Sequence, residues 1–210
     1  MNSRDNFPSQ LHRAGALLAG VVALVAAATM AGWIFGVDPL VRVAPAYPAM
    51  SLNSAVGLMG AALGLYGVAS RRQGFVVPGA LLALLVGGAT TIEYLANVSF
   101  GIDSLFFAGR VMTDAQVALP GRMPGASAFS LVLAGLALLS LRLPAFRTAG
   151  PVIAGTFGAI VATLAVTVLL SYLTGVLSSL RGGVIAALSV QGCVAFGALG
   201  LGLMLVTWRR

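Results

Sequence analysis

Glu93 is the only acid inside any long hydrophobic run of this 210-residue chain. It stands in IEYLANVSFGIDSLFF, residues 92–107, with Thr90 before it and Asp103 after it. A carboxylate in such surroundings has few uses. It can pair with a cation, here Arg110 or Arg122 of the following segment. It can take a hydrogen bond from Thr90, three residues earlier on the same helical face. Or it can lie at headgroup level and reach water or an arginine of the following loop. The first two uses make a polar contact inside an outward-facing pocket. Its expected walls are Glu93, Tyr94, Asp103, Arg122 and the helix starts at Asn53 and Ser127. The third makes Glu93 an interfacial residue and nothing more.

Other chemistry is excluded by residue type. There is no lysine, so no retinal Schiff base can form. His12 is the only histidine and precedes the first apolar run, which excludes bis-histidine haem within a bundle. No cysteine cluster, acid pair or G-x-x-x-x-G-K-[ST] phosphate loop is present, and no nucleophile–base–acid set can be assembled. The expectation is therefore no cofactor, no metal and no enzyme in this chain, although a kinase or cyclase domain could follow in a longer protein. Proton-coupled transporters carry several intramembrane ionisable groups and broken helices, and this chain has at most one such group. The single cysteine, Cys193, reads as a small packing residue.

The elements that must position Glu93 follow from composition. The chain is 59% hydrophobic and 8% charged, with a mean hydropathy of +1.01. A soluble domain of this length cannot hide that much apolar surface. The chain reads as an all-α integral membrane protein. A bilayer core takes about 20 apolar residues per helix, and six runs qualify or nearly do: 14–36, 51–70, 75–97, 126–141, 151–177 and 184–208. They are continuous rather than alternating, which argues against barrel strands.

All twelve basic residues are arginine and the net charge is +7. Scattered in ones and twos, they do not form a nucleic-acid surface; they fix topology. Arg4, Arg13, Arg71, Arg72, Arg142, Arg147, Arg209 and Arg210 fall on one side of the six spans, and Arg42, Arg110, Arg122 and Arg181 on the other. The majority side is cytoplasmic, so both termini point inward. Residues 1–13 then form a cytoplasmic segment, 14–208 the membrane domain, 209–210 a cytoplasmic end, and about 98–125 an external loop. Within that loop SFGIDSLFF suits a short interfacial helix. The rival reading of the first run is a signal peptide, with VALVAAAT offering small residues for cleavage.

Three pairs of spans resemble one another. The first helix of each pair ends in an aromatic residue followed by a small or polar residue and then valine: Trp33–Gly36–Val37, Tyr94–Asn97–Val98 and Tyr172–Gly175–Val176. The second begins MSLNSAVGL from Met50, MPGASAFSL from Met123 and LSVQGCVAF from Leu188. The pattern predicts three helical hairpins closing on the outer side. The aromatic rings are expected at the interface, and Ser51 or Asn53 as the cap of the second helix. Gly57, Gly60, Gly64 and Gly67 form one stripe of small residues, and Gly79, Ala83, Gly87 and Thr91 another. Such stripes let helices approach closely in lipid, within the bundle or across a dimer seam.

The run IEYLANVSFGIDSLFF, followed by PGRMPGASAFSLVLAGLALLSL, resembles the N-terminal multipass membrane module of bacterial signalling proteins. That module precedes PAS, histidine kinase or diguanylate cyclase domains. The matching positions include Glu93, Tyr94, Leu95, Gly101, Ile102, Asp103, Pro120, Gly121, Arg122 and Met123, with Ser127 and Ala128 at the next helix start. The resemblance spans roughly residues 10–208. Ala126 and Gly192 depart from it, standing where the family has Asn and Thr. No catalytic domain follows Arg210, so the chain reads either as the membrane part of a longer receptor or as a protein on its own.

The resemblance implies a sensory module of the bacterial cytoplasmic membrane, coupling a cue at the outer face or in the lipid to a cytoplasmic PAS or kinase output through span six. Besides the bilayer, a homodimer or larger membrane complex is the expected assembly. Two rival readings are an accessory subunit of a larger membrane complex and a small transporter or channel.

Overall fold

A computed structural model describes residues 7–45, 47–101, 121–175 and 188–208. Every regular element among them is helical. The α-helices are α1 (Phe7–Phe35), α2 (Asp38–Val41), α3 (Leu52–Ala69), α4 (Val76–Ala96), α5 (Gly125–Ser140), α6 (Gly150–Leu173) and α7 (Val190–Thr207). Single 3₁₀ turns at Gln73–Phe75 and Pro144–Phe146 lead into α4 and approach α6. Five helices are long and apolar enough to cross a membrane: α1, α3, α4 with its preceding turn, α6 and α7. The shorter α5 is apolar and has 16 residues. The interfacial helix expected around Asp103 lies outside the described residues, as do Arg110 and Arg181.

α1 begins at Phe7, so helix extends into the segment read as a cytoplasmic tail. The four-residue α2 was not legible as a helix. Its Asp38-Pro39 start matches the preference for proline in the first turn, and Val41 is buried beneath it. Met50 N–H donates to Val41 O at 2.9 Å, closing the connection from α1 to α3.

Neighbouring helices run antiparallel. Gly60 of α3 faces Gly79 and Leu82 of α4, whereas Gly67 faces Val76. Gly87 of α4 faces Ala128 and Leu131, whereas Gly135 of α5 meets Ala80 and Leu84. Gly158 of α6 faces Gly200 and Leu203 of α7, and Gly155 faces Thr207.

The helices form two shells. α3, α5 and α7 touch one another. α1 packs in the groove between α3 and α7, α4 between α3 and α5, and α6 between α5 and α7. Burial follows the same division. Of the spanning residues, 67% of α3 and 61% of α7 are buried, against 28% of α1 and 33% each of α4 and α6. The faces that outer helices leave uncovered carry Leu17, Leu24, Leu85, Leu95 and Val152, which are apolar and exposed, as lipid contact requires.

Close backbone approach sets the spacing of the shells. A side chain on Gly79 would run into the backbone of Gly60 and Gly64. One on Gly200 would meet the backbone oxygen of Gly158 and the backbone of Ala162. The remaining predicted stripe residues also seat against this chain's own helices. Gly57 and Gly64 receive Leu131 and Leu138 of α5, Gly67 lies against Arg72 and Val76, and Ala83 is fully buried. Thr91 does not continue its stripe inward; it is half-buried and donates to Gly87 O at 2.7 Å.

Candidate functional site

The site is built at the end of the bundle where α1, α4 and α6 finish and α3, α5 and α7 begin. Each of the three outer helices ends in a left-handed residue: Gly36 at φ 72°, Asn97 at φ 51° and Gly175 at φ 71°. In the first two the next residue bonds back across the last turn, Val37 N–H to Gly32 O at 2.9 Å and Val98 N–H to Glu93 O at 3.2 Å. This closure satisfies carbonyls that a helix end otherwise leaves open.

An aromatic side chain near each of those ends then donates to the residue just ahead of the following inner helix. Trp33 Nε1 donates to Met50 O at 2.9 Å, Tyr94 Oη to Met123 O at 3.1 Å, and Tyr172 Oη to Leu188 O at 2.6 Å. The rings expected as interface anchors thus also latch each outer helix to its partner. Trp33 is buried, and the Tyr172 ring packs edge-on against Tyr47 at 5.3 Å. A lipid-embedded hydrogen bond is worth about 0.6 kcal/mol on average, with a maximum near 1.7. Tyr172→Phe is therefore expected to lower stability by about 1 kcal/mol, read as a lower midpoint of unfolding in detergent. Leu173→Ala, one residue on and lipid-facing at 77% exposure, is expected to change it little.

The inner helices begin with matched caps. Ser51 Oγ accepts Ser54 N–H at 3.3 Å, and Ser189 Oγ accepts Gly192 N–H at 3.0 Å. Of the two caps proposed for α3, Ser51 takes the position; Asn53 stands in the first turn, half-buried. α5 starts instead after Pro124, without a side-chain cap. The three starts converge on a gap too narrow throughout for a water molecule, lined by Met50, Ser51, Ser54, Ser127, Ser189 and Phe196 among others. Ser51 and Ser54 share a hydroxyl–hydroxyl bond of 2.8 Å there.

Glu93 is fully enclosed, with no exposed surface. Residues Val76, Gly79, Ala80, Ala83, Gly87, Thr90 and Glu93 of α4 form one buried stripe. Glu93 therefore points into the bundle although it lies near the helix end. Its Oε1 accepts Phe100 N–H at 2.7 Å, and its backbone oxygen accepts Asn97 and Val98 N–H. One residue thus gathers three backbone donors of the chain leaving α4. Its Oε2 has no hydrogen-bond partner.

Two expected contacts of Glu93 are not formed. Thr90 Oγ1 is buried without a hydrogen bond. The carboxylate bonds instead to Phe100 N–H, seven residues onward. Arg122 is engaged elsewhere: its Nη2 donates to Val98 O at 3.3 Å and its guanidinium lies 5.6 Å from the centre of the Tyr94 ring. Adjacent residues on a helix point about 100° apart, so an arginine over Tyr94 addresses a different face from Glu93. Water contact at Glu93, expected from its place near the helix end, is not available either.

The six expected pocket residues therefore divide. Tyr94 and Arg122 meet each other, Glu93 is buried on a different face of α4, and Ser127 lines the central gap. Asn53 stands at the start of α3, and Asp103 lies outside the described residues. Ser54 and Ser189 were missed; their signal was the aligned position of three helix starts around one axis. Compared with models of known families, with curated proteins and with solved structures, the chain matches none.

Proposed function

We propose that the chain is a six-helix sensory module of the bacterial cytoplasmic membrane, built as three repeated hairpins with both ends inside, in which α7 carries a signal to a cytoplasmic output. The observation that carries this reading is the position of α7. It touches α1, α3, α5 and α6. Its start shares the central gap with α3 and α5, and its other end leads to Trp208. A change at the outer end that alters how the three starts meet must move α7 or be absorbed by it, because packed interiors are nearly incompressible. The repeated latches support the hairpin reading: all three outer helices use the same kind of bond at the same place. The narrowness of the gap, which leaves no room for water, favours a signal relay over a pore through the bundle centre.

The test joins the chain after Trp208 to the catalytic region of a histidine kinase and measures autophosphorylation in membranes. Releasing the latch by Tyr172→Phe is expected to shift output about fivefold or more, the lower range of coupling between distant sites. Leu95→Ala, at a lipid-facing residue 84% exposed, leaves it unchanged. Output that ignores Tyr172→Phe, together with a stoichiometric partner on purification, would replace this reading with that of an accessory subunit.

A further inference from the structure

At the opposite end of the bundle, where α3 passes to α4 and α5 to α6, a cleft of about 490 Å³ opens, lined by Gln73, Ser140, Arg142, Pro144, Arg147 and Pro151 among others. We infer that this cleft binds a phosphate group, carried by an anionic phospholipid or by a soluble phosphoester, between the guanidinium groups of Arg142 and Arg147. The volume lies within the roughly 300–1,000 Å³ of small-molecule sites. Both arginines are exposed, and their guanidinium groups make no hydrogen bond or ion pair among the described residues. Their planar forks suit phosphate oxygens, which they can engage two at a time.

The backbone between them is fixed rather than loose. Arg142 N–H donates to Leu139 O at 2.9 Å, Phe146 N–H to Leu143 O at 3.0 Å and Arg147 N–H to Pro144 O at 3.2 Å. Pro144 and Pro151 limit the loop further. The backbones of the two arginines are thus held five residues apart across one tight turn, so the turn itself loses little order when their side chains close around an anion. Gln73, from the turn between α3 and α4, adds a neutral side-chain donor to the lining. Beside the arginines, Leu143 and Phe146 are 42% and 40% exposed, an apolar margin suited to acyl chains below a headgroup.

Charge balance points the same way. In the proposed topology this end carries eight of the twelve arginines and a single acid, Asp5. Topology-setting alone explains an excess of arginine; it does not require two of them to share a cleft with a glutamine. Assignment to the inner leaflet rests on the orientation proposed above, whereas the cleft itself does not.

The experiment uses the full chain, purified and delipidated in neutral detergent, with bound lipid counted by native mass spectrometry after exposure to phosphatidylglycerol or phosphatidylcholine. Wild type is expected to retain phosphatidylglycerol preferentially. Arg142→Gln and Arg147→Gln are each expected to weaken that retention about fivefold, as for one arginine near an anionic surface. Arg13→Gln, an exposed arginine near the same end but outside the cleft, leaves it unchanged. Glycerol phosphate is added as competitor. Displacement at millimolar concentration assigns the cleft to a soluble phosphoester, and resistance assigns it to the lipid. Equal retention of the two lipids with no competition by glycerol phosphate would overturn the inference. So would equal weakening by Arg13→Gln, which would reduce it to a general field. Because binding in detergent has no sidedness, a wrong orientation would leave this result intact.

Discussion

Gly79→Leu is expected to keep α4 from seating on α3 and to abolish a stable, monodisperse bundle. The position has no flexible neighbour to move: the atoms a side chain would meet are the backbone of Gly60 and Gly64. Overpacking a well-filled core costs about 1–3 kcal/mol when side chains can shift. Here a helix must shift instead, and Leu82 and Gly87 on the same face lose their seats with it. Gly88→Leu supplies the control. That residue is in the same helix with nothing within 4 Å of a side chain, so an added leucine points to lipid and also removes a glycine from a helix interior. Its unfolding midpoint is expected to equal or exceed that of wild type. Thermal unfolding in one detergent, followed by circular dichroism and size exclusion, separates the two outcomes. Equal behaviour of the two variants would contradict the close α3–α4 contact.

At Glu93 the expected outcome depends on which atom is removed. Glu93→Ala deletes the acceptor of Phe100 N–H and leaves a void among enclosed groups, a loss of about 2–4 kcal/mol. Glu93→Gln keeps an oxygen for Phe100 and exchanges the unpartnered Oε2 for an amide nitrogen. It also removes an acid from a site shut off from water. The glutamine variant is therefore expected to fold at least as well as wild type, and the alanine variant to lose the ordered exit from α4. Proteolysis of the segment after Asn97 in nanodiscs reports that exit directly. Equal protection in the alanine variant and wild type would show that the Phe100 bond does not hold the chain there.

These residues also show what the sequence could reveal. The pairing of an aromatic helix end with a following helix start was visible three times as a pattern of letters. The latches give it a physical cause, since Trp33, Tyr94 and Tyr172 donate to Met50, Met123 and Leu188. Span limits were legible where charge or proline broke the apolar run, as at Arg71 and Pro124, and less so at Phe7, where helix continues into polar sequence. The inward direction of Glu93 was also in the spacing. The stripe through Gly79, Ala83 and Gly87 continues three residues on to Thr90 and then to Glu93, not four on to Thr91. The central gap and the arginine cleft were not legible, because each joins segments far apart in the chain. Ser51 and Ser189 meet only after α3 and α7 have packed, and Gln73 meets Arg142 and Arg147 only after α4 and α5 have packed.

The direction in which the chain threads the membrane is tested most directly by labelling. With Cys193 changed to serine, single cysteines are introduced at Gln73 and Ala145 at one end of the bundle, and at Val43 and Val98 at the other. Intact cells are then treated with a membrane-impermeant maleimide. Val43→Cys and Val98→Cys are expected to label from outside, with Gln73→Cys and Ala145→Cys reacting only after the cells are opened. Labelling of Gln73→Cys in intact cells would contradict the proposed orientation, as would finding residues 43 and 98 on different sides.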